Sequence, residues 1–364
     1  MSRFERQTIL PGFGQKGQQQ LSEAKILIVG AGGLGCPVML YLAAAGVGTI
    51  GIADGDVVSL SNLNRQVIYG EADIGKSKAQ VAGELIRNKY SDIKINIIPN
   101  FLTRDNTLNI IEQYDLVLDG SDNFGTRYLV NDACFLLKKP LVLGAIYQHE
   151  GQVTVLNIHA EGLEALTYRD LFPSPPSPSE VPNCAETGVL GVLPGIIGTM
   201  QATEAIKYLS GFGKPLINQV LFYNLRDHGT YKMDILLNPE GRKLMPKDAE
   251  AFKNMDYEVV CGPGDRIAWD KVQEIFNKAP NHSALIDVRE MHEEPKLDQF
   301  VFTPIPLSAL PQQLDRLPEV QNIYVFCQSG VRSQQAVQKI KKARPDKNVY
   351  SILGGINSLL TNKQ

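Results

Sequence analysis

The residues whose types and spacing most clearly suggest a reaction lie near the end of the 364-residue chain. They form the string CQSGVRS at positions 327–333. The pattern around this string predicts a loop between a strand and a helix. In such a loop, backbone N–H groups and the N-terminus of the following helix stabilise a thiolate or a persulfide anion. Cys327 is therefore a candidate nucleophile, Arg332 adds positive charge at the end of the loop, and a buried unreactive cysteine is the alternative.

A second candidate site is the glycine-rich string GAGGLG, which follows an apolar run typical of a strand and opens a predicted helix. Its glycines are Gly30, Gly32, Gly33 and Gly35. A glycine turn in this position lets backbone N–H groups and the helix N-terminus approach a phosphate. Asp54 ends the next predicted strand, where a carboxylate binds ribose hydroxyls. These features alone fit an NAD-dependent oxidoreductase equally well.

Further polar residues favour a triphosphate ligand over a dinucleotide. The strings SLSNLNRQ, GKSK and DGSDN contain, in order, Asn62, Arg65, Lys78 and Asp122. Phosphoryl and nucleotidyl transfer need fixed cations and Mg²⁺, because charge develops on phosphate oxygens. Taken singly, Lys78 would be a solvated helix lysine and Asp122 a helix N-cap. Their joint occurrence is the basis for predicting a site for a triphosphate and Mg²⁺.

The elements around these motifs predict an α/β protein with two successive domains. Strand-like apolar runs alternate with helical patterns through residue 146, which indicates a Rossmann-like, doubly wound sheet. A smaller α/β pattern begins after a polar stretch that lacks sustained periodicity. We therefore predict a first domain at residues 1–237, a linker at 238–262 and a second domain at 263–364. A proline-rich stretch at 172–184 predicts an exposed loop.

Composition and charge exclude several classes of protein. The net charge is -3 and no basic and aromatic stripe is present, so we expect no nucleic-acid surface. The opening MSRFERQTIL lacks the apolar region of a signal peptide, and no apolar run is long enough to span a bilayer. We expect a cytoplasmic protein. Five scattered cysteines disfavour a disulfide framework, and Cys36 and Cys134 are expected to pack as small hydrophobic residues.

Residues 1 to about 235 resemble the MoeB/ThiF/HesA family, the bacterial relatives of ubiquitin-activating enzymes. The resemblance rests on RFERQTILPGFG, GAGGLG, SLSNLNRQ, GKSK and DGSDN in this order. It implies that ATP and Mg²⁺ serve to adenylate the C-terminal Gly-Gly carboxylate of a small β-grasp sulfur-carrier protein of the MoaD or ThiS type. It assigns the ribose to Asp54, the phosphates to Asn62, Arg65 and Lys78, and the magnesium to Asp122.

The same resemblance makes predictions outside the nucleotide site. Arg6 matches an arginine that reaches the partner's ATP, which implies a homodimer; a surface salt bridge is the alternative. Cys184 lies at the position of a cysteine that takes part in sulfur transfer, with an ordinary loop cysteine as the alternative. Many family members bind a structural zinc with two CxxC pairs, but here TYRD replaces the first pair and EVVC keeps only Cys261. We therefore expect no structural zinc, which needs four ligands.

Residues from about 263 to 364 resemble a rhodanese domain. The strings IDVRE, CQSGVRS and LGGINS occur in the order of that family. Four residues separate Cys327 from Arg332, whereas cysteine phosphatases use five to make room for a phosphate. The smaller loop suits a persulfide sulfur. Asp287 is expected to support the fold at the end of a strand.

The two resemblances together predict two stages of one chemistry. The first domain would form an acyl-adenylate, and Cys327 would deliver persulfide sulfur from thiosulfate or a cysteine desulfurase. The product would be a thiocarboxylate for molybdopterin, thiamin or thiolated-tRNA synthesis. Eukaryotic molybdopterin-synthase sulfurylases and bacterial MoeB-rhodanese fusions have the same domain pairing. An NAD-dependent oxidoreductase and a non-catalytic scaffold that binds a ubiquitin-like protein are the alternatives.

Overall fold

The computed structural model describes residues 3–175, 188–257, 266–278, 282–291, 293–294, 300–328 and 330–361. The chain divides into two compact units, Met1–Tyr257 and Glu258–Gln364. Each unit contains a largely or wholly parallel sheet with helices packed against it. The predicted α/β class is confirmed.

An eight-stranded sheet forms the first unit, in the order β3-β2-β1-β4-β5-β6-β7-β8. Its strands are β1 (Lys25–Val29), β2 (Thr49–Ala53), β3 (Lys94–Ile98), β4 (Leu116–Asp119), β5 (Leu141–Tyr147), β6 (Glu150–Leu156), β7 (Gln219–Asn224) and β8 (Thr230–Asp234). The first five strands pair in parallel, and the remaining pairings are antiparallel. The sequence order of the parallel strands reverses beside β1, where a doubly wound sheet opens a crevice for ligands.

Ten helices accompany this sheet within the described part of the first unit. They are α1 (Glu5–Thr8), α2 (Gly14–Glu23), α3 (Gly35–Ala45), α4 (Lys78–Lys89), α5 (Thr107–Ile111), α6 (Phe124–Leu136), α7 (Tyr168–Leu171), α8 (Val192–Ser210), α9 (Pro239–Lys243) and α10 (Ala249–Asn254). Among the described residues of both units, no helix combines the length and the apolar character that crossing a membrane requires.

The apolar run of β1 explains why helices cover both faces of the sheet. Side chains alternate between the faces of a strand, so Ile26 and Ile28 face one core while Leu27 and Val29 face another. The first core contains residues of α2, α3, α4 and α8, and the second contains residues of α5 and α6. A parallel strand buried on both faces is typical of such an arrangement.

The segment that we predict as a linker contains ordered structure at its start. Helices α9 and α10 fall within it, and their N-caps Asn238 and Asp248 accept hydrogen bonds from backbone N–H groups. Phe252 and Tyr257 are buried in the second core of the first unit. Helices of five and six residues are too short to show a clear apolar period, which explains why the sequence pattern did not reveal them. Residues 258–265 lie outside the described part.

The second unit has a five-stranded parallel sheet in the order β11-β10-β12-β13-β9. Its strands are β9 (Arg266–Ile267), β10 (Ser283–Asp287), β11 (Thr303–Pro304), β12 (Asn322–Phe326) and β13 (Asn348–Ile352). Its helices are α11 (Trp269–Lys278), α12 (Val331–Ala343) and α13 (Gly355–Thr361). Two apolar clusters flank the central strand β12, with Val325 in one and Phe326 in the other.

Close packing of α8 against the start of α3 supports the glycine-rich loop. A Cβ atom on Gly198 would clash with the carbonyl oxygen of Leu34 and would lie 2.6 Å from Cγ of Pro37. Gly195, three residues earlier on the same helix, has no atom within 4 Å of a Cβ in the corresponding position. The contact between the two helices therefore requires a glycine at only one of these two positions.

We expect Gly198→Ala to destabilise the first unit by about 1–3 kcal/mol, because the added methyl group forces the two helices apart. The unfolding temperature should fall by about 2–4 °C for each kcal/mol lost. Gly195→Ala is the matched control and should be neutral or stabilise by up to ~1 kcal/mol, since alanine favours a helix. Differential scanning calorimetry measures both effects. Equal unfolding temperatures for the two variants would contradict the close helix contact.

Candidate functional site

The predicted nucleotide site lies at one edge of the eight-stranded sheet. The glycine-rich loop follows β1, Asp54 follows β2, and Asp122 follows β4. These three strands are direct neighbours and run in parallel, so their carboxyl ends open at the same edge. A Cβ on Gly30 would lie 3.1 Å from the carbonyl oxygen of Gly120, which shows that the loops after β1 and β4 are in contact.

The glycine-rich loop requires glycine for two separate reasons. Gly30 has a φ of 89°, a left-handed conformation that other residues rarely adopt. A Cβ on Gly35 would clash with the carbonyl oxygen of Gly30, and one on Gly33 would lie 3.0 Å from Cβ of Pro194. The loop therefore turns tightly into α3, and the N–H groups of the loop together with the N-terminus of this helix can receive a phosphate.

Asp54 is fixed beside this loop by backbone hydrogen bonds. Its Oδ2 accepts a hydrogen bond of 2.7 Å from the N–H of Ala31, and its Oδ1 accepts one of 2.7 Å from the N–H of Asp56. Burial raises the pKa of the Asp54 carboxyl, and these two donors oppose the increase. The side chain is only half-buried, so a carboxylate with a defined orientation borders the loop, as ribose binding requires.

Lys78 belongs to the same cluster but is already paired. Its Nζ lies 3.0 Å from Oδ2 of Asp56, and only 7% of the lysine side chain is exposed. The hydroxyl of Tyr69 donates to the carbonyl oxygen of Ala31 at 2.8 Å and lies 3.2 Å from that of Lys78. Tyr69 therefore ties the start of α4 to the glycine-rich loop, and the solvated-lysine alternative is wrong for Lys78.

Arg65 and Asn62 lie on a neighbouring loop that is stabilised by hydrogen bonds within the loop itself. Nη1 of Arg65 donates to the carbonyl oxygen of Ser61 at 2.8 Å and to Oδ1 of Asn64 at 3.1 Å. Asn62 ends a short 3₁₀ turn and is half-buried. Within the described residues, no hydrogen bond joins this loop to the pair of Lys78 and Asp56. The predicted phosphate ligands thus come from two separately stabilised segments.

Asp122 is exposed beyond the end of β4, where its carboxylate is accessible to a metal ion. It is not the N-cap of α6, because Oδ1 of Asn123 accepts the hydrogen bond from the N–H of Thr126 at 2.8 Å. Asp119, at the strand end, is fully buried, and burial raises the pKa of its carboxyl. Its Oδ2 has no hydrogen-bond partner among the described residues. Mg²⁺ often binds through one carboxylate together with phosphates, so Asp122 fits this requirement.

The structure describes Arg6 and two of the remaining four cysteines. Arg6 is exposed on α1, a helix held to the rest of the unit by an ion pair of 3.0 Å between Arg3 and Asp92. Cys36 and Cys134 are fully buried, as expected, and burial raises the pKa of the Cys36 thiol to about 12. Cys184 and Cys261 lie outside the described residues.

The TYRD segment forms a buried polar crosslink. Oδ2 of Asp170 accepts a hydrogen bond of 2.7 Å from the N–H of Thr167 and lies 2.9 Å from Nη2 of Arg242. Oδ1 accepts bonds from Nε of Arg242 at 3.0 Å and from the N–H of Asn238 at 2.9 Å. The guanidinium of Arg242 therefore joins α9 to α7, and both carboxylate oxygens of Asp170 are occupied.

Cys327 follows the central strand of the second unit and is fully buried. The N–H of Gly330 lies 3.1 Å from its Sγ, and the hydroxyl of Ser333 lies 3.7 Å from it. Gly330 has a φ of 92° and is the N-cap of α12. The carbonyl oxygen of Cys327 accepts a hydrogen bond of 2.9 Å from the N–H of Ile356, so the LGGINS segment contacts the loop as its order in the sequence suggests.

Two arginines near Cys327 are both paired with carboxylates. Arg332 makes two contacts with Glu293, including one of 2.7 Å from Nη2 to Oε2. Arg289 pairs with Asp287 at 2.9 Å, and its Nη1 donates to Oε1 of Gln328 in the loop. Asp287 ends β10, so its predicted structural position is confirmed.

Sequence reasoning missed Asp56, Tyr69 and Glu293. Asp56 is the second carboxylate of the string DGD, a signal that was visible in the sequence. Tyr69 and Glu293 act through contacts with residues at least nine positions away, and no local pattern indicates them.

Comparisons with known proteins agree with this organisation. Residues 4–240 match the model of the ThiF family, and residues 268–362 match that of the rhodanese-like domain. The chain is 40% identical to "Probable adenylyltransferase/sulfurtransferase MoeZ" of Mycobacterium tuberculosis, over 98% of this chain and 92% of that protein. It is 46% identical to "Sulfur carrier protein adenylyltransferase" of Thermus thermophilus, over 72% of this chain and 97% of the relative.

Two further comparisons extend these findings. The chain is 37% identical to "Adenylyltransferase and sulfurtransferase MOCS3" of Arabidopsis thaliana, over 99% of this chain and 83% of that protein. The solved structure "Crystal structure of E. coli MccB + ATP" matches with a TM-score of 0.55 and 21% identity, over 65% of this chain and 73% of that one. This likeness concerns the fold alone. The chain belongs to the ThiF family and joins its ThiF domain to a rhodanese-like domain.

Proposed function

We propose that the protein adenylates the C-terminal carboxylate of a small β-grasp sulfur-carrier protein and then supplies sulfur to that carboxylate from Cys327. One observation carries the proposal. The chain joins a ThiF domain to a rhodanese-like domain, in which the N–H of Gly330 lies 3.1 Å from Sγ of Cys327. Relatives similar over nearly the whole chain are named as adenylyltransferase and sulfurtransferase together.

The first step has a clear chemical purpose. A carboxylate is a poor acyl electrophile, because its leaving group would be oxide. Transfer of AMP from ATP makes a mixed anhydride with a good leaving group, and pyrophosphate departs. In this proposal the glycine-rich loop receives the phosphates, Asp54 orients the ribose, and Arg65 and Lys78 neutralise charge that develops on phosphate oxygens.

Magnesium and a second protomer belong to the same proposal. Asp122 would hold Mg²⁺, which neutralises charge on the phosphate oxygens of ATP when bound. Exposed Arg6, on its tethered helix α1, is available to a second protomer. The proposal therefore includes a homodimer, and a cytoplasmic location remains a prediction.

In the second step, the Cys327 persulfide attacks the activated carbonyl carbon. A carbon–sulfur bond forms, the carbon–oxygen bond breaks, and AMP leaves with the electron pair. A second thiolate must then attack the Cys327 sulfur to release the thiocarboxylate, which leaves a disulfide that an external thiol reduces. Cys184 is the candidate for that thiolate. The thiocarboxylate would serve molybdopterin, thiamin or thiolated-tRNA synthesis.

We expect Asp122→Ala, Arg65→Ala and Lys78→Ala each to lower carrier-dependent ATP-pyrophosphate exchange by about 10² to 10³-fold. The reason is the loss of a fixed charge that stabilises the transition state. Glu319→Gln, which alters an exposed ion pair of the second unit, is the control and should leave exchange unchanged. Near-normal exchange in all three alanine variants would refute the assignment, and a scaffold function would then be favoured.

The same assay tests the role of Arg6. Arg6→Ala should also be slow, and mixed dimers of Arg6→Ala with Asp122→Ala should recover part of the activity if the arginine acts across subunits. One of the two sites in such a dimer then has both residues intact. No recovery in verified mixed dimers would count against the cross-subunit role.

Cys327→Ser should separate the two steps. The substitution keeps the side-chain volume but removes the sulfur that becomes a persulfide, so ATP-pyrophosphate exchange should continue while thiocarboxylate formation stops. Added bisulfide should restore the product, because the adenylate reacts with any sulfur nucleophile. Mass spectrometry of the carrier measures the result. If Cys327→Ser forms the thiocarboxylate at the wild-type rate without bisulfide, the persulfide role is wrong, and the second domain would act only in docking. Cys184→Ser should spare adenylation.

We also expect the purified protein to contain well below one zinc per chain. The carboxylate of Asp170, at the place of one expected cysteine, is occupied by Arg242, Thr167 and Asn238. Elemental analysis of protein prepared with added zinc and then dialysed checks this expectation. Tightly bound, stoichiometric zinc would disprove it.

A further inference from the structure

The charge of Arg332 is compensated within the chain. Its guanidinium makes a bidentate ion pair with Glu293, in which 33% of the arginine side chain and 23% of the glutamate side chain are exposed. The hydrogen bonds from Arg332 hold the pKa of the Glu293 carboxyl at about 2, so the carboxylate is charged at any physiological pH. The pair therefore contributes no net charge beside Cys327.

The second arginine near the loop offers no free charge either. Arg289 is buried and lies against the carboxylate of Asp287, to which its Nε and Nη2 both donate. Among the described residues, the stabilisation that remains for an anion on Cys327 comes from the N–H of Gly330 and from the N-terminus of α12. These groups stabilise one sulfur anion but add no full cation for a second anion.

Sulfur donors differ in the charge that they bring to this loop. Thiosulfate is a dianion, and its attack by a thiolate brings like charges together, which a nearby cation must offset. An alkyl persulfide, R–S–SH, is neutral when protonated and carries only one negative charge when ionised. A loop whose two arginines are both paired therefore disfavours the dianion relative to the persulfide.

We propose that Glu293 determines which sulfur donor is used: by pairing with Arg332 it disfavours thiosulfate and favours the persulfide of a cysteine, which carries at most one negative charge. This inference rests on the proposed persulfide role of Cys327. The Cys327 thiolate attacks the terminal sulfur of R–S–SH, a new sulfur–sulfur bond forms, and the old one breaks. The departing thiolate takes the proton that the terminal sulfur carried. No oxidant or reductant is consumed in this exchange.

Loading of Cys327 alone provides the test, since it does not depend on adenylation. The full-length protein is mixed with thiosulfate, or with a short uncharged peptide whose cysteine carries a persulfide. Mass spectrometry then follows the addition of one sulfur atom to the protein. Glu293→Gln should raise the rate constant with thiosulfate by roughly tenfold or more, because the released guanidinium forms charge-assisted hydrogen bonds with the dianion. The rate with the peptide persulfide should change by less than about twofold.

Two further variants show whether the faster reaction of Glu293→Gln with thiosulfate depends on the guanidinium of Arg332. Arg332→Gln added to Glu293→Gln should remove the gain with thiosulfate. Glu319→Gln is the matched control, because Glu319 makes a similar bidentate pair with Arg344 in the same unit and its pKa is also about 2. It should leave both rates unchanged. Glu293→Ala, which removes the same carboxylate, replaces Glu293→Gln if thermal unfolding shows that variant to be misfolded.

The outcomes separate this inference from the function on which it rests. If Cys327→Ser still accepts one sulfur atom, the persulfide role of Cys327 is wrong. If Cys327 is required but Glu293→Gln leaves the thiosulfate rate unchanged or lowers it, the role of Glu293 is wrong. A gain that persists in the double variant would also overturn it, since the guanidinium would then not be its source.

Discussion

The predicted nucleotide site depends on the close approach of the two ends of its glycine-rich loop. Any side chain on Gly35 would meet the carbonyl oxygen of Gly30, so the first turn of α3 lies directly over the end of β1. The same tight turn places the N-terminus of α3 at the edge of the sheet where β2 and β4 also end. The N–H of Ala31, within this loop, donates to the carboxylate of Asp54 and so helps to orient it toward the loop. Replacing either glycine would therefore disturb the carboxylate as well as the helix.

Both units contain the same structural arrangement, which is suited to stabilising an anion. In each, a central parallel strand ends in a loop with a glycine of positive φ, Gly30 or Gly330, and a helix begins directly afterwards. In the first unit the anion is proposed to be a phosphate that arrives with a substrate. In the second the anion is proposed to be the sulfur of Cys327, a residue of the loop itself. A ligand with several negative charges needs additional side-chain cations. The backbone N–H groups and the helix N-terminus are sufficient to stabilise a single sulfur anion.

The sequence was sufficient wherever a local pattern reflects a local cause. Apolar runs predicted the parallel strands, and glycines at fixed spacing predicted both loops, because a positive φ and close backbone approach exclude other residues. It was insufficient where a side chain finds its partner through tertiary contacts. Lys78 looked like a solvated helix residue, yet its pairing with Asp56 depends on how the loop after β2 meets α4. Arg332 looked like a free cation, and only the folded chain places Glu293 beside it.

The ion pairs at the two sites differ in which member is buried, and this difference suits their proposed tasks. The Lys78 side chain is 7% exposed and that of Asp56 is 57% exposed, so the ammonium is fixed while its partner can turn toward water. An unpaired ammonium buried at this position would lower the stability of the fold, because it would lose its contact with water. Pairing with the exposed carboxylate reduces this cost and leaves the site accessible to solvent. A phosphate can replace Asp56 without moving the lysine. In the pair of Arg332 and Glu293 both members are partly exposed, so displacing the carboxylate also frees a flexible arginine that must be ordered again. The pair of Lys78 and Asp56 therefore fixes a cation in place for an anionic ligand. The pair of Arg332 and Glu293 instead adds to the free-energy cost of binding an anionic ligand.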